Sequence, residues 1–411
     1  MKNDAPPGPH KPVLNLRRGH SDALRAGLGL VAVAVASFCC AAGIYAAEQA
    51  KKVEQMKIPG INVTMVKIPK ASFLMGHKED FVGSSGDEKP EHKVSFTKDF
   101  WMGATAITVG QFRHFVETTG YITESEIGNA GIYTSKSKPR QKGLSWRNPG
   151  IANYTQTDDC PVFGLSWADC MQFCAWLTER EQSAGRLPEG YVYRLPTEAQ
   201  WEYGARGNSA ADPGYWKEII ATEEKLAPDA KAKQDETFKK KGVVLKPARA
   251  RAQEAGYDPS NDPSPEEFGV IRSNSGGVPN PVGTKKPNQF GLYDMMGNGW
   301  NWVYDWYGRY SADDQVDPEG PVSPNQREII MPHHEMRGGS WTEYGAHGLM
   351  TTNRWSTYGM TANQWVTFRI ALSTVAPRAA NAPEPGALIG NNPYGGGAPA
   401  TKKGGAAPKK G

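Results

Sequence analysis

The chain has 411 residues, enough for a sizeable core and one to three domains. Only 38% are hydrophobic while Gly (46) and Pro (31) are abundant, so either the fold is rich in loops or disordered tails dilute the core. A net charge of +4 with dispersed basic residues gives no basic stripe, which excludes nucleic acid as a partner.

Residues 1–25 carry Lys2, Lys11, Arg17, Arg18 and Arg25 and read as a cytoplasmic tail. Residues 26–47, "AGLGLVAVAVASFCCAAGIYAA", are uncharged and long enough for the roughly 20 residues of a membrane-crossing helix. The preceding positive charges put the N-terminus in the cytoplasm and the rest of the chain outside it. The segment is read as an uncleaved anchor, with secretion after signal cleavage as the alternative. The expected location is therefore membrane-anchored and extracytoplasmic, periplasmic or cell-surface. Residues 48–57 read as a linker. Cys39 and Cys40 fall in the apolar segment, which leaves Cys160, Cys170 and Cys174 outside it. Three cysteines allow one disulfide or none, not a disulfide-stapled fold.

Residues 58–375 read as one globular α+β domain. Short strand-like runs, "INVTMVKIP", "HKVSF" and "WVTFRIAL", are cut by Gly, Pro and Asn. Three capping boxes predict helix starts: Thr108 to Gln111, Ser166 to Asp169 and Thr197 to Gln200. The first helix turns Phe112, Phe115 and Val116 inward and ends at Gly120. In the second, Cys170, Phe173, Cys174 and Leu177 form one buried stripe. Trp201 anchors the third. Residues 211–272 are highly charged and poor in large apolar side chains, so they read as an insertion, a surface helix or a mobile arm. Residues 376–411, rich in Gly, Ala, Pro and Lys, cannot bury enough apolar surface to order and read as a disordered tail.

Two stretches carry chemistry. In "YDMMGNGWNW", Asp294, Asn298 and Asn301 offer oxygens, while Gly297 and Gly299 let the backbone turn its carbonyls inward. Many oxygens around a hard cation is the logic of a calcium site. The bland alternative is a loop fixed by Asx turns without metal. In "RGGSWTEYGAHGLMTTNRW", Glu343, His347 and Arg354 are the candidate catalytic residues, and Trp341, Tyr344, Asn353 and Trp355 the candidate ligand pocket. Glu343 suits a general base or an anchor for a basic ligand, and His347 a proton carrier. The bland alternative puts Trp341, Trp355 and Arg369 in the core and pairs Arg354 with a carboxylate. His333 and Glu335 in "MPHHEM" supply two ligands where a zinc or iron site wants three or more, so no metal is read there.

The motifs "SWRNPG", "CPVFGLSWADCMQFCAWL", "YRLPTEAQWEYGARG", "NQFGLYDMMGNGWNW", "MRGGSW" and "TFRIAL", in this order, resemble the sulfatase-modifying-factor family of the formylglycine-generating enzyme. The resemblance spans nearly all of Met65 to Leu372 outside the insertion. It implies a single α+β domain related to C-type lectins, low in regular secondary structure. It implies calcium at the positions of Asp294, Gly297, Gly299 and Asn301, with Asn301 standing where the family usually has Glu. The family's founding activity oxidises a substrate cysteine with oxygen and copper held by two cysteines, since soft Cu(I) prefers thiolate. Those cysteines lie three and eight residues after the serine of the GGS motif, where this chain has Glu343 and Gly348. Cys174 matches a disulfide position of some members whose usual partner is Ile370 here. The resemblance therefore implies a protein- or peptide-binding accessory or maturation factor without copper–cysteine chemistry. The alternative is an oxidoreductase acting through a different, non-cysteine site.

Overall fold

All three expected helices start at their capping boxes. Thr108 Oγ1 accepts from Gln111 N, and Gln111 Oε1 accepts in return from Thr108 N at 2.9 Å. The pairs Ser166–Asp169 and Thr197–Gln200 repeat the pattern. These boxes open α1 (Val109–Thr119), α2 (Trp167–Ser183) and α3 (Glu198–Arg206). Gly120 closes α1 at φ 70°, a left-handed conformation open to glycine without cost. The computed structural model describes residues 53–78, 86–134, 139–207, 220–221, 223–240, 246–254, 264–321, 333–343 and 347–374. The expected tail at 1–25, the anchor at 26–47, residues 48–52 of the linker expected at 48–57, the tail at 376–411 and Tyr344 lie outside the described residues, and residues 55–57 of that linker instead belong to a strand, Gln55–Ile58. Among those described, no helix is long and apolar enough to cross a membrane.

The described residues from Glu54 onward form one unit, with twelve strands among them. They are β1 (Gln55–Ile58), β2 (Val63–Ile68), β3 (Ser72–Met75), β4 (His92–Ser95), β5 (Phe100–Gly103), β6 (Tyr191–Arg194), β7 (Trp300–Trp306), β8 (Gln315–Val316), β9 (His333–Arg337), β10 (Arg354–Tyr358), β11 (Val366–Phe368) and β12 (Ala371–Thr374). One sheet runs β1-β2-β5-β12-β6, a second β10-β9-β7-β11, and a third β3-β4-β8. The expectation of one strand in "WVTFRIAL" is corrected here. β11 pairs parallel with β7, whereas β12 pairs antiparallel with β5 and β6. The chain changes sheets at Arg369 and Ile370, both fully buried.

The core lies between α1, α2 and the first two sheets. Phe112 stacks on Phe173 at 6.1 Å and meets Trp146 edge-on at 5.2 Å. Cys170, Phe173, Cys174 and Leu177 are all buried, as the stripe in α2 requires. Cys160, Cys170 and Cys174 are free thiols, and burial raises the latter two well above the usual range. The charged insertion contributes α4 (Pro228–Lys240) and α5 (Ala248–Glu254). Glu223 joins them, accepting from Lys231 at 3.0 Å and from Ala248 N.

Candidate functional site

Both chemistry-bearing stretches meet at the β7–β9 pairing, where Asn301 lies opposite Arg337. Gly297 N donates to Gly338 O at 2.8 Å, and Trp300 Nε1 donates to Glu343 Oε1 at 3.2 Å. The approach is close enough to demand glycine. A Cβ on Gly338 would lie 2.8 Å from Met295 O and from the Trp201 ring. One on Gly339 would lie 2.7 Å from Gly348 O.

Glu343 and Gly348 face each other across this turn. A Cβ built on Gly348 lies 3.4 Å from Glu343 Cβ and 3.2 Å from its Oε2. Ser340 Oγ sits 3.5 Å from Glu343 Oε1, and Asn353 Nδ2 donates to Gly348 O at 2.9 Å. Trp355 is 42% exposed, with its ring 6.0 Å from that of Trp300. The surface beside Glu343 therefore carries one half-buried carboxylate, an amide and an exposed indole. Trp341 is not part of it. It is 2% exposed and packs edge-on against Phe163 at 5.0 Å. His347 opens the turn His347–Leu349, and its side chain lies outside the described residues.

Arg354 belongs to a buried ionic cluster beneath this floor. Its Nε and Nη2 donate to the two Glu198 oxygens at 2.6 and 2.9 Å, and its Nη1 donates to Asp87 O at 2.7 Å. Glu335 accepts a further bond from Nη2 at 3.3 Å. Arg337 bridges Glu198 and Glu202 and donates to the carbonyls of Thr351 and Thr352. It thereby holds the segment that runs from Gly348 to Asn353. Burial alone would raise Glu202, yet Arg206 and Arg337 hold its carboxyl at about 2. Glu335 goes the other way: burial pushes it well up, against the pull of Arg354. Sequence reading missed Glu198, Glu202 and Arg337. The available signal was two carboxylates one turn apart, flanking the anchor Trp201.

Of the five residues expected to hold calcium, Asp294, Gly297, Asn298 and Gly299 lie in one loop, and Asn301 is the second residue of β7. Asp294 and Asn298 adopt positive φ (51° and 56°), as the Asx-turn alternative supposes. Asn298 is bonded both ways to the backbone of Asn280. Asn301 Oδ1 accepts from Arg369 Nε at 2.6 Å, and its Nδ2 donates to Gly299 O at 2.8 Å. Among the described residues, no group of three or more His, Cys, Asp or Glu side chains is placed to hold a metal ion.

On the opposite side of β9, His334 is stacked between Trp167 (3.9 Å) and Trp306 (3.7 Å). Burial holds its ring at about 3, and burial followed by Arg206 does the same to His77. The unfolded chain binds these protons near 6.5 while the fold refuses them to about 3, so stability falls as pH drops through that window. At pH 5 the loss is about 2 kcal/mol per ring relative to pH 7. Buried carboxyls such as Asp305, pushed up to about 8, act in the opposite direction, so the readout is the difference between wild type and His334→Phe: by urea unfolding the variant should lose about 2 kcal/mol less than the wild type between pH 7 and pH 5. A variant with the wild-type slope would refute this assignment.

Glycine-rich turns, short strands and three capped helices make this an α+β domain in which loops carry much of the chain. Residues 49–374 match the sulfatase-modifying factor enzyme 1-like domain. The chain belongs to that family. It is 29% identical to the formylglycine-generating enzyme of Bos taurus over 290 residues, 66% of this chain and 65% of that protein. The matched region thus spans just under two thirds of that relative's length. It is 26% identical to the inactive C-alpha-formylglycine-generating enzyme 2 of the same species, over 62% of this chain and 74% of that protein. In fold it is similar to PvdO from Pseudomonas aeruginosa, with a TM-score of 0.54 and 23% identity over 79% of this chain and all of that one.

Proposed function

We propose that this family member is a membrane-tethered, extracytoplasmic factor that binds a protein or peptide at the surface beside Glu343. In this reading it acts in accessory or maturation roles without copper–cysteine oxidase chemistry. One observation carries the proposal: Glu343 and Gly348 face each other where the family resemblance calls for a pair of thiols. A carboxylate and a bare backbone are poor ligands for cuprous ion. The described thiols are committed elsewhere. Cys170 and Cys174 lie in the core under α2, and Cys160 contacts Thr157 Oγ1 at 3.1 Å. The relative named as inactive supports the reading that this fold outlives its founding chemistry. Residues 26–47 supply the tether.

The test uses the full chain in detergent. It should retain no copper or iron after purification, consume no oxygen with a thiol reductant, and leave a Cys-x-Pro-x-Arg peptide without aldehyde by mass spectrometry. Bound copper or iron accompanied by oxygen consumption would overturn the binding reading, as would aldehyde on the peptide.

A further inference from the structure

We propose that the loop opening at Asp294, with Asn301 at the start of β7, is organised by the guanidinium of Arg369 as its resident cation and takes no calcium. A calcium cage needs six to eight oxygens aimed at one point and draws its affinity from carboxylates. Here the oxygens point at protein donors. Gly297 O accepts from Gly299 N at 2.6 Å, and Gly299 O from Asn301 Nδ2 at 2.8 Å. Asn298 Oδ1 accepts from Asn280 N at 2.9 Å. Asp294 Oδ2 accepts from Gly283 N at 2.7 Å.

Asn301 Oδ1, at the position where a second carboxylate would stand, accepts from Arg369 Nε. The same guanidinium donates through Nη2 to the carbonyls of Tyr293 and Asp294 and through Nη1 to that of Gly103. Arg369 is fully buried, and Asp294 is the one carboxylate of the loop, so one positive and one negative charge are enclosed together. A divalent cation would raise that enclosed charge to +2 at low dielectric, an unfavourable addition. Among the side-chain oxygens of Asp294, Asn298 and Asn301, only Asp294 Oδ1 is buried without a donor, and one enclosed water serves a single such oxygen. Arg369 sits at the crossing from β11 to β12, so the backbone that carries the cation is held by two sheets at once.

The experiment compares melting of the full chain, and its metal content after dialysis, in calcium and in chelator. The wild type should retain no calcium and melt at the same temperature in both. Asp294→Asn removes the negative charge without changing shape. It should lower the melting temperature equally in calcium and in chelator. Arg369→Gln should destabilise more than Asp294→Asn. One equivalent of calcium retained through dialysis would overturn the proposal. So would a calcium-induced rise in wild-type melting temperature that Asp294→Asn abolishes. The wild-type comparison decides the matter even where a variant does not fold.

Discussion

Glu198→Ala is expected to cost about 3–5 kcal/mol of folding stability, the range for breaking a buried ion pair from one side. For a domain of this size that lowers the melting temperature by roughly 10 °C. Glu198 is the hub of the cluster, accepting from Arg337, from two nitrogens of Arg354 and from Tyr310 OH at 3.0 Å. Without it, Arg354 keeps as a side-chain partner only the 3.3 Å contact to Glu335, whose carboxyl burial pushes toward the neutral form. Both guanidinium groups are buried, so solvent cannot replace the lost carboxylate. Glu335→Gln provides the contrast. Burial already favours the neutral form of Glu335, and its Oε1 has no donor, so the amide should cost far less. Urea unfolding of both variants measures the difference. A Glu198→Ala penalty below that of Glu335→Gln would show that the cluster is not what fixes the floor of the site.

Locally encoded features were legible in the sequence. Each capping box needs two residues three apart, and all three helices began where the boxes placed them. The stripe in α2 was legible for the same reason. The ionic cluster was not, because its bonds join Glu198 to residues 139 and 156 positions away. No periodicity announces a partner at that separation. The run "WVTFRIAL" reads as one strand because every residue in it suits a sheet. Only the positions of β7 and β5 decide that it serves two. Trp341 and Trp355 illustrate the limit within the site. Both are tryptophans beside glycine- or polar-rich loops, yet one is 2% exposed and the other 42%. What separates them is Phe163, brought to Trp341 from a distant part of the chain. The pairing of Glu343 with Gly348 followed from the family resemblance, and the backbone places the two side by side.

That juxtaposition makes a gain-of-function result the sharper expectation. The double variant Glu343→Cys with Gly348→Cys should bind about one equivalent of Cu(I) under reducing conditions, because two facing thiolates are the soft donors that the wild type lacks there. Position 348 tolerates a side chain, since Gly348 is not among the glycines at positive φ. The 3.4 Å between a Cβ at position 348 and Glu343 Cβ is just below the disulfide range of about 3.5–4.5 Å, so a small backbone shift lets oxidation cross-link the pair instead. Truncating Glu343 also removes the one clash in the way, its Oε2 at 3.2 Å from the new Cβ. The cost is the acceptor for Trp300 Nε1, about 1–3 kcal/mol for a buried donor left without a partner. Competition against a Cu(I) chelator and thiol titration before and after oxidation read the two states. A folded double variant that keeps two free thiols after oxidation and takes up no copper means that the positions do not face one another. The structural basis for assigning this site a binding role would then be lost. Copper uptake without aldehyde formation on the cysteine peptide would place the remaining deficit in substrate positioning, and so in Trp355 and Asn353 at the surface beside position 343.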